Sequence, residues 1–332
     1  QMLDQVLKTF EITPDYDLNI MQQGQTLSDI TSNVLAGMES VLKKEKPDIV
    51  LVHGDTTTTF AGALAAYYHQ VAIGHVEAGL RTNNKYSPYP EEMNRQMVGV
   101  LADLHFAPTQ QSKENLLWEG KPEDKIIVTG NTAIDALKLT VKKEYSNQLL
   151  QWAHNSRLIV LTAHRRENLG EPMLHMFRAI QAVIDKYDDV KMVYPVHLNP
   201  LVQKAAHDVF GDSGRVKLVA PMEVVEFHNL LNHAYLILTD SGGIQEEAPS
   251  LHKPVVVLRD TTERPEGVAA GTLKLAGTKE DIFRIVDELL SDREEYERMS
   301  RAENPYGDGF ASRRIVDALL QWYQSGQNKN EG

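Results

Sequence analysis

The chain has no cysteine among its 332 residues. Disulfide bonds, thiolate metal sites and thiol catalysis are therefore excluded. Long apolar runs are also missing, since no stretch approaches the roughly 18–20 residues that span a bilayer. The first residues open directly into an amphipathic pattern and show no secretory signal. These absences together lead us to expect a cytoplasmic protein that has no membrane partner.

Positive charge is scarce as well. Lys and Arg number 34 against 46 Asp and Glu, which gives a net charge of −12. Proteins that bind nucleic acid through its phosphates need basic stripes, so we predict no nucleic-acid partner. A small anionic ligand remains compatible with this charge, because a few local donors can hold it inside an acidic protein.

Short apolar runs rich in Val, Ile and Leu alternate with helical patterns along most of the chain. The runs are Ile49–His53, Val71–Val76, Leu104–Ala107, Ile126–Thr129, Leu158–Thr162, Lys191–Tyr194, Val216–Val219, Leu236–Thr239, Val255–Leu258 and Thr272–Leu275. Leu27–Lys44 and Met173–Lys186 are typical of the helices. Runs of this length, bounded by Gly, Asp or His, indicate buried parallel strands. The alternation predicts an α/β fold built from doubly wound sheets.

The length suits two domains of roughly 150 residues each. The polar stretch 142–156 favours a boundary between a Rossmann-like domain at 1–150 and a second one at 151–305. A breaker cluster at 304–309 then precedes a last amphipathic helix within 306–325. The chain starts with a helix, whereas a doubly wound domain normally begins with its central strand. We therefore expect either that the sequence lacks its natural N-terminus or that the first sheet is short by one strand.

Carboxylates follow the strands of the first half, at the sheet edge where active sites of such folds lie. Asp55 comes after the first strand and Glu77 directly after the second. Glu91 and Arg95 are four residues apart and share one helical face. Asp55 is equally well explained as a helix cap, and Glu91 with Arg95 as an exposed ion pair. Glu77 is harder to explain without a function, because capping does not account for it.

Groups suited to phosphate follow the strands of the second half. His164 and Arg165 come after one strand, and His197, equally well explained as a buried structural histidine, after the next. A glycine pair before a helix and an arginine in the next loop could approach a phosphate, although such a pair also occurs as plain turn chemistry. This division suggests that the second domain holds an anionic nucleotide while a neutral group reacts against the first. The residues concerned are Ser241, Gly242, Gly243, Glu247 and Arg264.

Eight motifs, taken together, are far more specific than any one of them. In order along the chain they are HGDTTT (53–58), HVEAGLRT (75–82), PEEMNR (90–95), HRREN (164–168), YPVHLNP (194–200), DSGGIQEE (240–247), RDTTERPE (259–266) and NPYGDG (304–309). The set resembles the bacterial non-hydrolysing UDP-N-acetylglucosamine 2-epimerase family over nearly the whole chain.

This resemblance implies a GT-B-type fold, in which two Rossmann-like domains enclose the active site in an interdomain cleft and the last helix crosses back to the first domain. It implies reversible conversion of UDP-GlcNAc to UDP-ManNAc through 2-acetamidoglucal, with no cofactor and no metal. It further implies a homodimer whose product supplies cell-surface polymers such as teichoic acid linkage units or capsule. Family members begin with a strand and a Gly-Thr-Arg-Pro-Glu loop that do not precede Gln1.

Matched position by position, the resemblance assigns three groups of residues. The catalytic group is Asp55, Glu77, Glu91, Arg95 and His164. The UDP site is Phe227, Ser241, Gly242, Gly243, Glu247 and Arg264. The site of a second, allosteric UDP-GlcNAc is Gln1, Glu91, Arg165 and His197.

Three other functions remain open. A GT-B glycosyltransferase would share the nucleotide site but would not need three carboxylates facing the sugar. A hydrolysing epimerase would add water in place of UDP and release free sugar. A non-catalytic UDP-sugar sensor would bind without exchanging any proton.

Overall fold

The computed structural model describes residues 2–22, 24–165 and 168–330. Its strands are β1 Ile49–His53, β2 Ala72–Val76, β3 Leu104–Ala107, β4 Ile126–Val128, β5 Arg157–Thr162, β6 Val190–Pro195, β7 Val216–Val219, β8 Leu236–Thr239, β9 Val255–Val257 and β10 Leu273–Leu275.

The α-helices connect these strands, and a short 3-10 turn at Glu123–Lys125 precedes β4. They are α1 Met2–Thr9, α2 Leu27–Glu45, α3 Thr57–Tyr68, α4 Glu91–Leu101, α5 Gln110–Trp118, α6 Thr132–Thr140, α7 Gln148–Trp152, α8 Glu171–Lys186, α9 Pro200–Phe210, α10 Val224–His233, α11 Gly242–Ser250, α12 Pro265–Ala270, α13 Lys279–Ser291, α14 Arg293–Arg301 and α15 Ala311–Asn330. Within the described ranges, no helix combines the length and the apolar character needed to cross a bilayer.

The chain forms two compact units. One comprises Phe10–Thr132 and the segment from Gly309 onward, and the other Ala133–Asp308 together with α1. We call them the first-sheet unit and the second-sheet unit. The boundary predicted within 142–156 is not tested by this division of contacts and stays a prediction.

In the first-sheet unit, β1, β2, β3 and β4 pair in that order and are all parallel. The small side chains of Ala63 and Ala66 let α3 pack closely on Ile73. Thr56 caps α3 by accepting from Thr59 N at 3.2 Å, so the helix begins directly after the β1 loop. From the other end of the chain, α15 packs Ile315 against the same sheet.

In the second-sheet unit, the strand order is β10-β9-β8-β5-β6-β7, and all pairs are parallel. The connections run outward in both directions from β5 and β8, so these two strands flank the topological switch point. Open α/β sheets bind ligands at the carboxyl ends of the strands at such a point. Buried aromatic residues, among them Phe177 and Tyr194, fill the layer between this sheet and α8. The predicted α/β fold with parallel sheets is therefore confirmed.

Candidate active site

The carboxyl ends of β1 and β2 lie side by side and carry the first cluster of polar side chains. Gly54 N donates to Val76 O at 3.0 Å, so the loops after the two strands leave the sheet together. Glu77 follows β2 directly and has a left-handed backbone, with φ of 63°. Residues other than glycine pay for this conformation, and such residues cluster at functional sites. The Glu77 carboxylate lies 3.5 Å from His53 Nε2.

Arg95 connects α4 to the loop after β1. Its Nη2 lies 2.5 Å from Asp55 Oδ2 and its Nη1 lies 3.3 Å from Glu92 Oε2. Asn94, the preceding residue of the helix, donates from Nδ2 to Asp55 O at 2.9 Å. Because Arg95 is buried, solvent competes little for these bonds. Two of the predicted catalytic residues, Asp55 and Arg95, are thus in direct contact.

Glu92 is the buried anchor of this arrangement, and sequence analysis did not identify it. It is fully buried and accepts from Thr82 N and Asn83 N, each at 3.0 Å, and from Gln96 Nε2 at 2.9 Å. Burial alone would raise the Glu92 pKa. The hydrogen bonds from Thr82, Gln96 and Asn83, with the Arg95 charge, outweigh burial and lower the pKa. Glu92 therefore fixes both Arg95 and the loop that precedes α4.

Glu91 occupies the first position of α4 and is only partly buried. The ion pair with Arg95 that the four-residue spacing indicates does not form, because Arg95 points to Asp55 and Glu92. That interpretation of the spacing was wrong. Among the described residues Glu91 has no ion-pair partner, so its carboxylate is available to a ligand.

In the second-sheet unit, the loops after β5 and β8 meet at the switch point. Asp240, which follows β8, is fully buried. Its Oδ2 accepts from His164 N and Arg165 N, each at 2.9 Å, and from Asn168 Nδ2 at 3.2 Å. One carboxylate oxygen therefore holds the start of the β5 loop against the β8 loop.

The His164 imidazole is held between two neighbours. Its Nδ1 lies 3.4 Å from Asp240 Oδ1. Its ring stacks on His197, with centroids 5.4 Å apart and planes inclined by 11°. His197 is itself oriented, because its Nδ1 accepts from Asn199 N at 3.0 Å. The structure thus brings together His164 and His197, which sequence analysis placed after separate strands.

The first turn of α11 has the properties of an anion-binding site. Ser241 precedes the helix and makes no capping hydrogen bond with its side chain, which leaves the N–H groups of the first turn open to an anion. Arg264 lies beside Gly242, with its Nε 2.7 Å from Glu246 Oε1 and its Nη1 3.2 Å from Glu263 Oε1. A guanidinium held on two sides keeps its position when a ligand arrives.

Glu263 joins the arginines of this region. It lies 2.9 Å from Arg165 Nη2 and 2.6 Å from Arg259 Nη1, in addition to its contact with Arg264. Burial alone would raise the Glu263 pKa, but Arg264 and Arg259 outweigh it and lower the pKa to about 2. This carboxylate is therefore ionised at neutral pH. It holds in place the arginine side chains that a bound phosphate would contact.

Phe227 and Glu247 gather around His228. The Glu247 Oε2 lies 3.6 Å from His228 Nε2, and the Phe227 and His228 rings have centroids 6.4 Å apart. On its other side, His228 Nδ1 lies 2.6 Å from Thr140 Oγ1. His228 thus lies near both an aromatic ring and a carboxylate. A nucleotide base can stack on the Phe227 ring, and the Glu247 carboxylate can accept hydrogen bonds from ribose hydroxyls.

The residues predicted for a second ligand are distributed over both units. Arg165 pairs with Glu263 and His197 stacks on His164, all within the second-sheet unit. Glu91 belongs to the first-sheet unit. Gln1 lies outside the described residues. Over the described part of the chain, no group of three or more His, Asp or Glu side chains has the arrangement of a metal site.

Gly242→Ala is expected to weaken binding of the UDP that the family resemblance implies, by about tenfold or more, which is about 1.4 kcal/mol. A Cβ at this position would lie 3.1 Å from Arg264 Cζ, whose guanidinium Glu246 and Glu263 prevent from retreating. Isothermal titration with UDP measures the effect. Gly214→Ala is the matched control, because its Cβ would meet nothing within 4 Å. Equal UDP affinities in the two variants would mean that α11 does not approach the nucleotide.

Residues 1–320 match the family model described as UDP-N-acetylglucosamine 2-epimerase. The chain is 65% identical to the UDP-N-acetylglucosamine 2-epimerase of Bacillus subtilis (strain 168) over 324 residues, which cover 97% of this chain and 85% of that protein.

Two solved structures are similar over almost all of the chain. The S. aureus MnaA–UDP structure has a TM-score of 0.92 and 56% identity, and the match covers 98% of this chain and 87% of that one. The UDP-GlcNAc 2-epimerase of Neisseria meningitidis bound to UDP-GlcNAc has a TM-score of 0.88 and 51% identity, with 96% and 89% covered. The predicted family is therefore confirmed.

Proposed function

The chain belongs to the UDP-N-acetylglucosamine 2-epimerase family, and we propose that it interconverts UDP-GlcNAc and UDP-ManNAc without hydrolysing them. The observation that carries the proposal is the pairing of buried Arg95 with Asp55 beside the strained Glu77. These groups provide acid–base chemistry, and the loops after β5 and β8 provide donors for a diphosphate. The similar structures that contain UDP and UDP-GlcNAc support the same substrate.

The chemistry at C2 defines what the residues must do. The C2 proton of a 2-acetamido sugar is not acidic, because no carbonyl group is adjacent to C2. Elimination solves this: a base takes the C2 proton, the C1–O bond breaks, and its electrons leave with UDP. The product is 2-acetamidoglucal. UDP oxygen then adds back to C1 while an acid delivers a proton to the opposite face of C2, so that atoms and charge balance.

We propose a role for each residue from its chemistry and from the residues it contacts. Asp55 and Glu77 exchange the C2 proton, and Arg95 holds Asp55 in place. Glu91, which has no ion-pair partner among the described residues, contacts the sugar. His164 protonates or stabilises the departing diphosphate, a cationic role that imidazole fills near neutral pH.

The nucleotide is assigned to the second-sheet unit. The first turn of α11 at Ser241, Gly242 and Gly243 binds phosphate with backbone N–H groups, together with Arg264. Phe227 packs against uracil, and Glu247 accepts from the ribose hydroxyls. Arg264 supports this assignment because Glu246 and Glu263 hold it beside Gly242.

Four further properties rest on the family resemblance. We propose that the product supplies cell-surface polymers such as teichoic acid linkage units or capsule, and that the enzyme works in the cytoplasm. A homodimer and a second UDP-GlcNAc bound through Gln1, Glu91, Arg165 and His197 stay predictions as well. Analytical ultracentrifugation tests the first of these two, and the dependence of rate on UDP-GlcNAc concentration tests the second.

Glu77→Gln is expected to slow the incorporation of solvent deuterium at C2 by about 100-fold or more, because it removes an acid–base group. Proton NMR of UDP-GlcNAc in deuterated water, without added cofactor, measures deuterium at C2 and any free sugar in one experiment. Glu123→Gln, a change at an exposed carboxylate of the same unit, serves as the control.

The wild-type result decides between the open alternatives. UDP-ManNAc labelled at C2, with no free sugar, supports the non-hydrolysing epimerase. Release of free N-acetylmannosamine would instead identify the protein as a hydrolysing epimerase. An unlabelled substrate that remains unchanged would exclude both epimerases. An unchanged exchange rate in Glu77→Gln would remove Glu77 from the C2 role.

A further inference from the structure

Asp240 has one carboxylate oxygen that the β5 loop leaves unused. Its Oδ2 accepts the hydrogen bonds from His164 N, Arg165 N and Asn168 Nδ2. Its Oδ1 has no hydrogen-bond partner among the described residues, although Asp240 is fully buried. A buried carboxylate oxygen without a donor is costly, so such atoms call for a functional explanation.

The nearest donor to that oxygen is the His164 ring. Nδ1 of His164 lies 3.4 Å from Asp240 Oδ1, longer than a normal hydrogen bond. Hydrogen bonds within catalytic groups are often long in the free enzyme and shorten when substrate binds. The approach is directed, because the same carboxylate fixes the His164 backbone N–H and the His197 ring lies against the imidazole face.

We propose that Asp240 is the positioning residue of His164. Its Oδ1 accepts a hydrogen bond from Nδ1–H, which leaves Nε2 on the far side of the ring to face the diphosphate of the substrate. As the C1–O bond breaks, Nε2–H protonates or stabilises the departing UDP oxygen, and the buried carboxylate balances the imidazolium charge. Asp240 itself takes no proton. The same logic orients the histidine of Ser-His-Asp enzymes. This role rests on the function proposed above.

The charged and polar groups around the pair fit this assignment. Asn168 and the Arg165 backbone hold only Oδ2, and the Arg165 side chain is paired with Glu263. Tyr194 lies under the loop, where its hydroxyl donates to Ala163 O at 2.5 Å. Burial, with the Asp240 charge second, raises the Tyr194 pKa, so this hydroxyl stays a donor and does not compete for the imidazole proton.

The substitution Asp240→Asn distinguishes a role of Asp240 in orienting the His164 ring from a role in holding the β5 loop. The amide oxygen can still accept from the His164 and Arg165 backbones, so the loop is retained. The amide nitrogen then faces His164 Nδ1 as a donor, so Nδ1 must accept, and the doubly protonated imidazolium loses the carboxylate that balances its charge. We expect kcat to fall by about 100-fold or more, with KM for UDP-GlcNAc and the thermal unfolding midpoint nearly unchanged.

Asn168→Ala is the matched control. It removes a 3.2 Å hydrogen bond to the same carboxylate but leaves Oδ1 and the His164 ring alone. Its kcat is expected to stay within a small factor of wild type. Equal losses of kcat in Asn168→Ala and Asp240→Asn would mean that Asp240 only holds the loop, which would overturn the proposal.

A spectroscopic measurement decides the matter even if Asp240→Asn does not fold. In ¹⁵N-labelled wild-type protein saturated with UDP, the His164 signal is identified by its loss in His164→Asn. We expect a protonated Nδ1, and an unprotonated Nδ1 would refute the role of Asp240. Because this experiment needs no turnover, it remains decisive if the wild type fails to epimerise and the proposed function is abandoned.

Discussion

Glu92→Leu is expected to lower the free energy of unfolding by about 3–5 kcal/mol. The substitution leaves the buried Arg95 guanidinium without one of its two anionic partners. It also leaves two backbone donors, Thr82 N and Asn83 N, without their acceptor. Leucine fills part of the volume but satisfies none of these groups, and each unsatisfied buried donor has its own cost. Urea unfolding followed by circular dichroism measures the change.

The neighbouring carboxylate provides the control for Glu92. Glu91→Ala removes a partly buried side chain at the first position of α4, where it gains only about 0.3–1 kcal/mol from the helix dipole. It should therefore unfold almost like wild type while losing about 100-fold or more in epimerisation rate. If Glu92→Leu were as stable as Glu91→Ala, the buried network would not hold the loop before α4.

Acid is expected to destabilise the first-sheet unit through two buried histidines. His75 and His105 are partners in the β2–β3 register, and almost no part of either is exposed. Burial lowers the pKa of each to about 4, and for His105 the neighbouring His75 adds to the effect. Neither Nδ1 has a hydrogen-bond partner in the described residues. An incoming proton therefore gains no compensating contact.

The sign of the pH effect follows from where the protons bind. Between the ordinary histidine pKa of about 6.5 and the folded value of about 4, the unfolded chain binds more protons than the folded one. Stability is therefore complete above about pH 6.5 and falls as the pH drops towards 4. Each histidine contributes up to about 3 kcal/mol to the loss.

His105→Leu tests this prediction. Within the described part of the chain, the His105 side chain makes no hydrogen bond that leucine would lose, so the variant should fold and lose part of the acid sensitivity. Urea midpoints measured from about pH 7 to about pH 4 give the slope. His154→Leu, at an exposed position, should keep the wild-type slope. Parallel slopes for wild type and His105→Leu would assign the acid effect to other groups.

The strands were predictable because each is a short, almost wholly apolar run. The runs 49–53, 104–107, 216–219 and 236–239 match β1, β3, β7 and β8 at both ends. Differences are confined to the ends of other strands. Val71, for example, was predicted to begin the second strand but precedes β2. Its N–H donates to Ala66 O at the end of α3 and not to a neighbouring strand. Apolar patterning predicts where a strand lies, but the neighbouring turn decides which residue makes the last hydrogen bond of the strand.

The candidate site was predictable only in part. The rule that function follows strand ends found Asp55, Glu77 and His164, because chain position alone brings the first two to the carboxyl edge of the four-stranded sheet and His164 to that of the six-stranded sheet. It did not find Glu92, whose partners Thr82 and Asn83 are fixed by the path of the intervening loop. Asp240 was quoted as part of a motif, but its bonds to the β5 loop depend on β5 and β8 being neighbours. Strand order is tertiary information that local spacing does not contain.

The packing of α15 has a consequence for how the protein is made. Ile315 completes a core that includes Leu104 and Phe106, about two hundred residues earlier in the chain. The ribosome therefore releases the whole of Ala133–Asp308 before the first-sheet unit has its last helix. The second-sheet unit can fold during synthesis, whereas the earlier-synthesised unit must wait with part of its sheet uncovered. Nonsense or frameshift changes late in the gene, beyond the codon for Asp308, should therefore damage the cluster of Asp55, Glu77 and Glu92, which lies far earlier in the chain.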